Sequence, residues 1–301
     1  MSYGRSYAGR ARRKAHPWML RPVIIYLIIF TQTPVLLTLF YSTTNWNLVR
    51  PDRPRRFIGL QNYVDFFLAR DTARIMWNTI VLSLSVVFLS LVFGMILALL
   101  LSREFRGRGL ARTLIITPFL VMPTVSAVMW KNMLFNPAFG LISSTLAVLG
   151  GPRIDWITQF PMGSLIVIIT WEWTPFMMLI LLSGLESLEK EHLESAQIDG
   201  AEPLATFRFI ILPHLTRYIE IGVLLEALFV LNIFGEIFIT TTGGPANYTT
   251  TLTFNIYLEA FKRWNVGRAS AYAVIAVIFA NIITLLFLRV IRRQGENGEP
   301  A

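Results

Sequence analysis

The chain has 301 residues, of which 54% are hydrophobic and only 15% are charged. Long apolar runs with so few charges exclude an ordinary soluble domain and indicate transmembrane helices. The absence of cysteine excludes a disulfide framework and a thiolate metal site. Arginines crowd the short polar segments between the apolar runs, so the net charge of +9 indicates membrane topology rather than nucleic-acid binding.

Six apolar segments, each near the roughly 20 residues that a bilayer core requires, predict an all-α integral membrane protein of one domain. The first begins near Trp18, is too long for a signal peptide and lacks a small-residue cleavage site, so it predicts a retained helix. The third is interrupted by Pro118 and Pro123, which membrane helices tolerate where neighbours or water satisfy the freed carbonyls. The predicted spans are 19–43, 77–101, 112–134, 162–184, 217–241 and 270–291.

Lysine and arginine are unevenly divided between the two sides of the predicted membrane. Sixteen lie on the side of the two chain ends and eleven on the other, which predicts that the basic tail 1–18 and the tail 292–301 are cytoplasmic. The external segment 44–76 contains "FIGLQNYVDFF", which predicts a surface helix. Four arginines in this segment oppose the charge bias: Arg50, Arg53, Arg55 and Arg56.

Motifs of nucleotide binding, metal binding and hydrolysis are absent from the sequence. None of the four lysines follows a glycine, so the chain has no phosphate-binding P-loop. The three histidines (His16, His192 and His214) do not have metal-ligand spacing, and no nucleophile is paired with a base at membrane depth. We therefore predict a chain without enzymatic activity and without a cofactor or metal of its own.

The segment 185–216, between the fourth and fifth spans, is unusually polar for a link between two membrane helices. Leu185 to Asp199 favours a helix, and Gly200 follows it at the position where a left-handed cap is common. Pro203 then starts a second short helix, which Pro213 bends or ends. The apolar residues of this second helix recur at spacings of three and four and predict one stripe: Leu204, Phe207, Ile211 and Leu215.

The first of these predicted helices is acidic, with Lys190 as its one basic residue. Two interpretations are open on the residues alone: a solvated acidic face, or a surface that meets a basic groove in a partner protein. The small side chains of Ser195 and Ala196 allow a helix to approach another surface closely. The acidic residues are Glu186, Glu189, Glu191, Glu194 and Asp199.

The stretch 192–215, "HLESAQIDGAEPLATFRFIILPHL", resembles the coupling loop of binding-protein-dependent ABC importer permeases. The family pattern is Glu-Ala-Ala, three residues, Gly, nine residues, Ile, one residue and Leu-Pro, and this sequence departs from it only in having Ser195 for alanine. The residues at the family positions, with the two that flank the glycine as in sugar permeases, are Glu194, Ser195, Ala196, Asp199, Gly200, Ala201, Ile210, Leu212 and Pro213.

The resemblance extends over most of the chain. "GLQNYVDFF" (59–67), "WNTIVLSLSV" (77–86), "WKNMLFNPAFGLI" (130–142) and "TTGGPANYTTTLTFNIYLEAF" (241–261) are similar to carbohydrate-importer permeases that include the maltose type. Three further stretches resemble polyol (mannitol or sorbitol) permeases most: "FRFIILPHL", "FGEIFITTTGGP" and "ASAYAVIAVIFANI".

The resemblance implies an inner-membrane importer subunit of bacterial type whose partners supply what the chain lacks. Two separate nucleotide-binding subunits would hydrolyse ATP with Mg²⁺, and the coupling helix would sit in a cleft of one of them, with Glu194 facing a basic residue there. A second, similar permease would complete the pore, and an external binding protein would deliver a polyol, sugar or sugar derivative.

Ionisable residues at membrane depth are candidates for the substrate path because they are costly if they face lipid. Glu172, Glu226 and Glu236 qualify, with Glu226 the weakest because it is expected near the cytoplasmic end. Phe229, Asn232 and Glu236 are predicted to share one face of the fifth helix, an aromatic ring beside an amide and a carboxylate, as a hydroxyl-rich substrate requires. The candidate path residues are Trp171, Glu172, Trp173, Phe229, Asn232, Glu236 and Asn281.

Other interpretations of these residues are open from the sequence. The tryptophans can pack between helices, and the acids can bond to neighbouring backbone or lie near the interface. Gly243-Gly244-Pro245 predicts an external turn, which either is only a turn or helps to gate the pore or contact the binding protein. An ion-gradient-driven transporter that uses Glu172 or Glu236, and a membrane scaffold or receptor, are the alternative functions.

Overall fold

A computed structural model of the protein describes residues 17–52 and 54–296. The regular structure in these ranges is helical, apart from two isolated β-bridges. The helices are α1 (Pro17–Ser42), α2 (Gln61–Leu68), α3 (Thr72–Ser102), α4 (Arg108–Leu120), α5 (Pro123–Met129), α6 (Leu141–Val148), α7 (Trp156–Gln159), α8 (Pro161–Glu186), α9 (Lys190–Ile198), α10 (Pro203–Thr206), α11 (Leu212–Val230), α12 (Gly235–Thr240), α13 (Leu252–Tyr257) and α14 (Val266–Glu296). Three π-helical turns extend α5, α10 and α13: Trp130–Leu134, Phe207–Ile211 and Leu258–Lys262.

Each of the six predicted spans falls on helical structure, and the all-α membrane class is confirmed. Four helices (α1, α3, α8 and α14) are long and apolar enough to cross a membrane by themselves, and there are five such segments if the bent pair of α4 and α5 counts as one span. The count of six is therefore approximate, because two of the predicted spans are broken. The tail 1–18, except for its last two residues, lies outside the described residues.

The third predicted span, 112–134, is not one straight helix. The chain leaves the helix after Leu120, and the axis turns by 98° before α5 begins. Met122 has extended backbone angles, φ −61° and ψ 133°, because the ring of Pro123 disfavours helical geometry in the residue before it. The two prolines therefore convert one predicted span into two half-helices.

The fifth predicted span, 217–241, breaks between Val230 and Gly235. The hydroxyl of Thr253 donates to the carbonyl of Leu231 at 2.9 Å, so a group freed by the break finds a partner. The predicted common helical face of Phe229, Asn232 and Glu236 is therefore wrong. The sequence between α11 and α12 contains no proline, and the break depends on a contact from a distant segment.

The interior of the membrane domain is the contact between α3, α8 and α11. A Cβ atom at Gly94 would lie 2.9 Å from the backbone nitrogen of Met178, and one at Gly222 would lie 2.7 Å from the sulfur of Met177. Small residues at such crossings let membrane helices approach closely, which replaces the hydrophobic driving force that lipid removes. In contrast, α1 packs mainly on α14 and exposes apolar side chains along its length.

The end of the bundle that carries the 242–251 segment is fixed to the start of α3. The side-chain amide of Asn78 donates to the carbonyls of Asn247 at 2.8 Å and Thr250 at 3.0 Å. The backbone N–H of Leu252 donates to the hydroxyl of Thr79 at 3.0 Å. The predicted turn at Gly243 is present, with φ 81° at that residue. These bonds hold the turn as part of the rigid bundle.

Candidate docking loop and membrane site

In the loop between α8 and α11, the first helix begins later than the sequence predicts. The structure does not form one helix from Leu185 to Asp199, because α8 ends at Glu186 and α9 begins at Lys190. The hydroxyl of Ser187 donates to the carbonyl of Gly184 at 2.7 Å, a local bond that competes with helix continuation. The short extended break lets α9 leave the direction of α8.

Gly200 caps α9 as the sequence predicts. Its φ is +74°, a left-handed conformation that costs other residues strain. The N–H of Gly200 donates to the carbonyl of Gln197 at 3.1 Å, and the N–H of Ala201 donates to that of Ala196 at 2.9 Å. This pair of bonds is the Schellman motif. It gives the loop a defined turn between α9 and α10.

The surface of α9 is acidic and mostly exposed. Glu194, Ser195 and Asp199 are exposed, and 86% of the Ile198 side chain is accessible. Ala196 differs, because it is buried within this chain. The small Ala196 side chain thus packs within this chain, and a close approach of α9 to a partner protein stays a prediction that now depends on Ser195.

The second half of the loop is continuous with the fifth membrane helix. Pro213 does not end it, since α10, the π-helical turn 207–211 and α11 follow one another without a break. A wider turn directly before a proline accommodates its ring and its missing N–H, which explains this difference. The exposure of the predicted apolar stripe falls along this segment: Leu204 is 75% exposed, whereas Leu215 is fully buried.

The remaining positions of the family pattern lie along this continuous segment. Ile210 is half-buried, and Leu212 and Pro213 are exposed. Ala201, after the glycine cap, is half-buried. The segment thus carries both inward and outward side chains from the loop into the bundle.

Four residues, which we call the loop base, join the two ends of the loop: Gly184, Ser187, His214 and Tyr218. The Tyr218 and Ser187 hydroxyls are 2.8 Å apart, and Nε2 of His214 lies 3.0 Å from the carbonyl of Gly184. Because a carbonyl only accepts, this Nε2 carries a proton and donates. The loop base therefore ties the end of α8 to the start of α11. No sequence pattern connects these four residues.

An ion pair adds a third helix to the same region. Nη2 of Arg108 lies 2.7 Å from Oε1 of Glu186, and Nη1 of Arg112 lies 3.8 Å from the same oxygen. Both arginines belong to α4, and Glu186 is the last residue of α8. The sequence predicted Glu186 to lie on the acidic helix of the loop. In the structure it instead joins α8 to α4 within the membrane domain.

Within the membrane, the predicted path residues separate into two groups. Trp173 stacks on Phe229, with ring centroids 5.3 Å apart and planes at 29°. Phe119 and Phe176 complete this aromatic cluster, at 5.7 and 5.5 Å from Trp173. Phe229 is 56% exposed, so the cluster forms part of an open surface. Phe176 could have been found from its spacing of three from Trp173, whereas nothing in the sequence connects Phe119 with it.

The acidic group lies behind that surface, inside the chain. Glu172 is buried, and its carboxyl lies beside that of Glu236 and the hydroxyl of Ser126. Oε1 of Glu172 and the Ser126 hydroxyl have no hydrogen-bond partner among the described residues. Trp171 points elsewhere and contacts Trp130, with centroids 5.6 Å apart. The broken helices α5 and α12 meet α8 at this acidic group.

The other polar candidates do not join either group through hydrogen bonds. The Asn232 amide donates to the carbonyl of Leu228 at 2.7 Å, and that of Asn281 donates to Val277 at 2.8 Å, so both bond to their own helices. Glu226 is fully buried beside Ser90, in the contact of α11 with α3. It lies about 21 Å along the helix from Leu212, so the expectation that it lies near the cytoplasmic end is wrong.

Comparison with known protein families identifies the family of this chain. The model of the family described as "Binding-protein-dependent transport system inner membrane component" matches residues 90–294. The chain belongs to this permease family. The match contains the loop between α8 and α11 (the candidate docking loop), the aromatic cluster and the acidic group, whereas α1 and α2 lie before it.

Full-length relatives agree with this assignment. A probable ABC transporter permease protein, y4oQ of Sinorhizobium fredii, is 34% identical over 290 residues, covering 96% of this chain and 94% of that protein. The trehalose/maltose transport system permease MalF of Thermococcus litoralis is 30% identical, covering 90% of this chain and 92% of the relative. The trehalose permease SugA of Mycobacterium tuberculosis is 28% identical, covering 99% of this chain and 95% of the relative.

A solved structure shares the fold. A chain of a bacterial alginate ABC transporter, crystallised with its alginate pentasaccharide-bound periplasmic protein, superposes with a TM-score of 0.78 at 22% identity. The superposition covers 93% of this chain and 94% of that one. The permease family and the ABC-permease fold are thus both established for this chain.

Proposed function

We propose that this chain forms half of the translocation path of an ATP-driven importer for a sugar, a polyol or a sugar derivative. The carbohydrate class is supported by the relatives named as trehalose/maltose and trehalose permeases. Its partners are a second permease subunit, two nucleotide-binding subunits and an external binding protein. The complex lies in a bacterial inner membrane, with both ends of this chain in the cytoplasm.

The observation that carries the proposal is the exposed acidic surface of α9, held on a fixed turn and a bonded base. Exposed Glu194 and Ser195 face away from the bundle, while the Schellman turn at Gly200 fixes the direction of the chain after α9. A basic cleft on an ATPase subunit is the complementary partner. Since this chain has no P-loop, ATP and Mg²⁺ bind to that partner.

The loop base supplies the route by which movement of α9 reaches the membrane. Closure of the nucleotide-binding dimer displaces α9, and the bonds of the loop base make the end of α8 and the start of α11 move together. Both helices also carry the path residues Trp173 and Phe229. A displacement at the loop therefore reorients the aromatic cluster.

The aromatic cluster is the proposed substrate surface of this subunit. Stacked rings of Trp173 and Phe229 offer flat apolar faces to the C–H groups of a sugar or polyol, and polar groups nearby fix its orientation. Glu172 lies on α8 next to Trp173, and Glu236 of α12 lies beside it. These buried carboxyl groups accept hydrogen bonds from a hydroxyl that reaches them.

The test is transport by the complete importer reconstituted in proteoliposomes with its ATPase subunits and binding protein. Glu194→Lys places a positive charge where a basic cleft is expected, so ATP-driven uptake should fall to background while the complex still assembles. Glu189→Lys, which makes the same charge change just before α9, is the matched control and should keep most of the uptake.

Wild-type uptake by Glu194→Lys would contradict docking through this surface. Uptake by the chain alone, driven by a proton or sodium gradient without ATPase subunits, would instead support the ion-coupled alternative that uses Glu172 or Glu236. A panel of sugars and polyols that stabilise the cognate binding protein against heat identifies the substrate, because a bound ligand raises its melting temperature.

A further inference from the structure

The short helix α2 has an apolar face that nothing in the described chain covers. Its buried side holds Asn62 and Phe66, and a second side carries Gln61 and Asp65, which bond to each other at 2.8 Å. The third side, which we call the outer apolar face, is one exposed stripe at spacings of three and four. It consists of Leu60, Val64, Phe67 and Leu68.

The depth of α2 follows from its contacts. The Asn62 amide donates to the carbonyl of Ser42 at 2.8 Å, and Ser42 is the last residue of α1. The Tyr63 hydroxyl donates to that of Ser42 at 2.7 Å. On the other side Phe66 packs edge-on against Tyr272 of α14, with centroids 4.7 Å apart. These contacts place α2 beside the ends of two membrane helices, at the level where the bilayer surface lies.

Exposed basic side chains flank α2 on both sides along the chain. Arg55 lies over the ring of Trp46 at 3.8 Å, and Trp46 is at the same end of α1, where aromatic side chains favour the membrane interface. In the described part of the chain, none of four exposed arginines around α2 forms an ion pair. They are Arg50, Arg55, Arg56 and Arg70.

We propose that α2 is a membrane-surface anchor whose outer apolar face enters the lipid while the neighbouring arginines bind anionic phospholipid head groups. An apolar stripe beside basic residues at bilayer depth is the pattern of an interfacial helix, and the charges are complementary to phosphate. The apolar surface of α1 is exposed as far as Phe40, two residues before Ser42, to which α2 is bonded. The proposal also explains why these arginines oppose the charge bias of the rest of the chain.

The absence of cysteine makes a direct measurement of depth feasible. In the complete transporter, with cysteines removed from its partner subunits, Phe67→Cys reports the outer apolar face and Gln61→Cys reports the polar side. Each variant carries a nitroxide label, and relaxation by oxygen, which enters lipid, is compared with relaxation by a water-soluble nickel chelate. Val64→Cys provides a second reporter of the apolar face.

In phosphatidylcholine with added phosphatidylglycerol, we expect the oxygen-to-nickel ratio to be several-fold higher at positions 67 and 64 than at 61. Low accessibility to both reagents at 67 and 64 would mean that a partner protein covers the face. Preferential accessibility to nickel there would mean that it faces water. Either result overturns the anchor.

The binding of anionic head groups by the arginines is tested by changing the lipid composition. The ratio at position 67 should fall when phosphatidylglycerol is omitted, and the triple variant Arg55→Gln, Arg56→Gln, Arg70→Gln should remove that dependence on lipid. Equal ratios in both lipid mixtures would overturn the recognition of anionic head groups. Because the readout is depth rather than uptake, a failure of the proposed transport function would not change it.

Discussion

The loop between α8 and α11 and the membrane site are two polar regions of this protein, and they are built in opposite ways. The turn of the loop is local: Gly200 caps α9 and Pro203, three positions later, starts α10. The acidic group of the membrane site brings together Ser126, Glu172 and Glu236 from three separate helices. A local arrangement can be recognised from spacing, whereas a convergent one depends on how broken helices pack.

The largest effect is expected at the loop base, where local and tertiary structure meet. Gly184→Val should destabilise the protein by roughly 1–3 kcal/mol and prevent assembly, because overpacking displaces well-packed neighbours. A Cβ atom there would lie 2.7 Å from both Leu215 Cδ2 and Tyr218 Cγ. Thermal unfolding in detergent measures the loss. Gly163→Ala is the control on the same helix, since its nearest neighbour would lie at 3.9 Å.

The two tryptophans of α8 separate substrate contact from packing. Trp173→Ala should raise the KM for ATP-driven uptake about tenfold, or about 1.4 kcal/mol, because this half-buried ring stacks on the exposed Phe229 in the aromatic cluster. Trp171→Ala should lower the melting temperature instead, since that ring packs against Trp130. The reverse assignment of the two effects would place the substrate surface on the other side of α8.

Removal of a single hydroxyl group of the loop base tests coupling with a smaller change. Ser187→Ala loses bonds to Gly184 and Tyr218, so we expect about 1 kcal/mol of destabilisation and less substrate transported for each ATP hydrolysed. Ser183→Ala is the control, because its hydroxyl bonds only within its own helix, to Ile180 at 2.8 Å. An unchanged ratio of transport to hydrolysis in Ser187→Ala would restrict the loop base to a structural role.

The smallest effect is expected at the glycine cap. Alanine in a left-handed conformation costs roughly 1–2 kcal/mol, and the lower entropy of the unfolded chain offsets roughly 0.4–1 kcal/mol of this. Gly200→Ala should therefore lose about 0.8 kcal/mol, the middle of the difference between these two ranges, and increase amide exchange mainly in α9. Gly109→Ala, where a Cβ atom meets nothing within 4 Å and φ is not positive, is the control. Exchange that increased throughout the bundle would mean that the turn is not a local element.

The sequence by itself determined the membrane class, the position of six apolar segments and the turn of the docking loop. These follow from hydropathy over about 20 residues and from the backbone freedom of one glycine. It also identified Trp173 and Phe229 separately as polar-substrate candidates, although it placed Phe229 on the wrong shared face.

Only the tertiary structure decided where the chain breaks and what the polar residues meet. Two prolines in the sequence indicate an interruption of the third span. The segment between α11 and α12 contains no proline, and the carbonyl of Leu231 that this break frees accepts a hydrogen bond from Thr253. Likewise Pro213 is accommodated by a π-helical turn rather than ending a helix. The physical reason is that a backbone group in a membrane must find a partner. Spacing along the chain does not reveal which distant side chain supplies it.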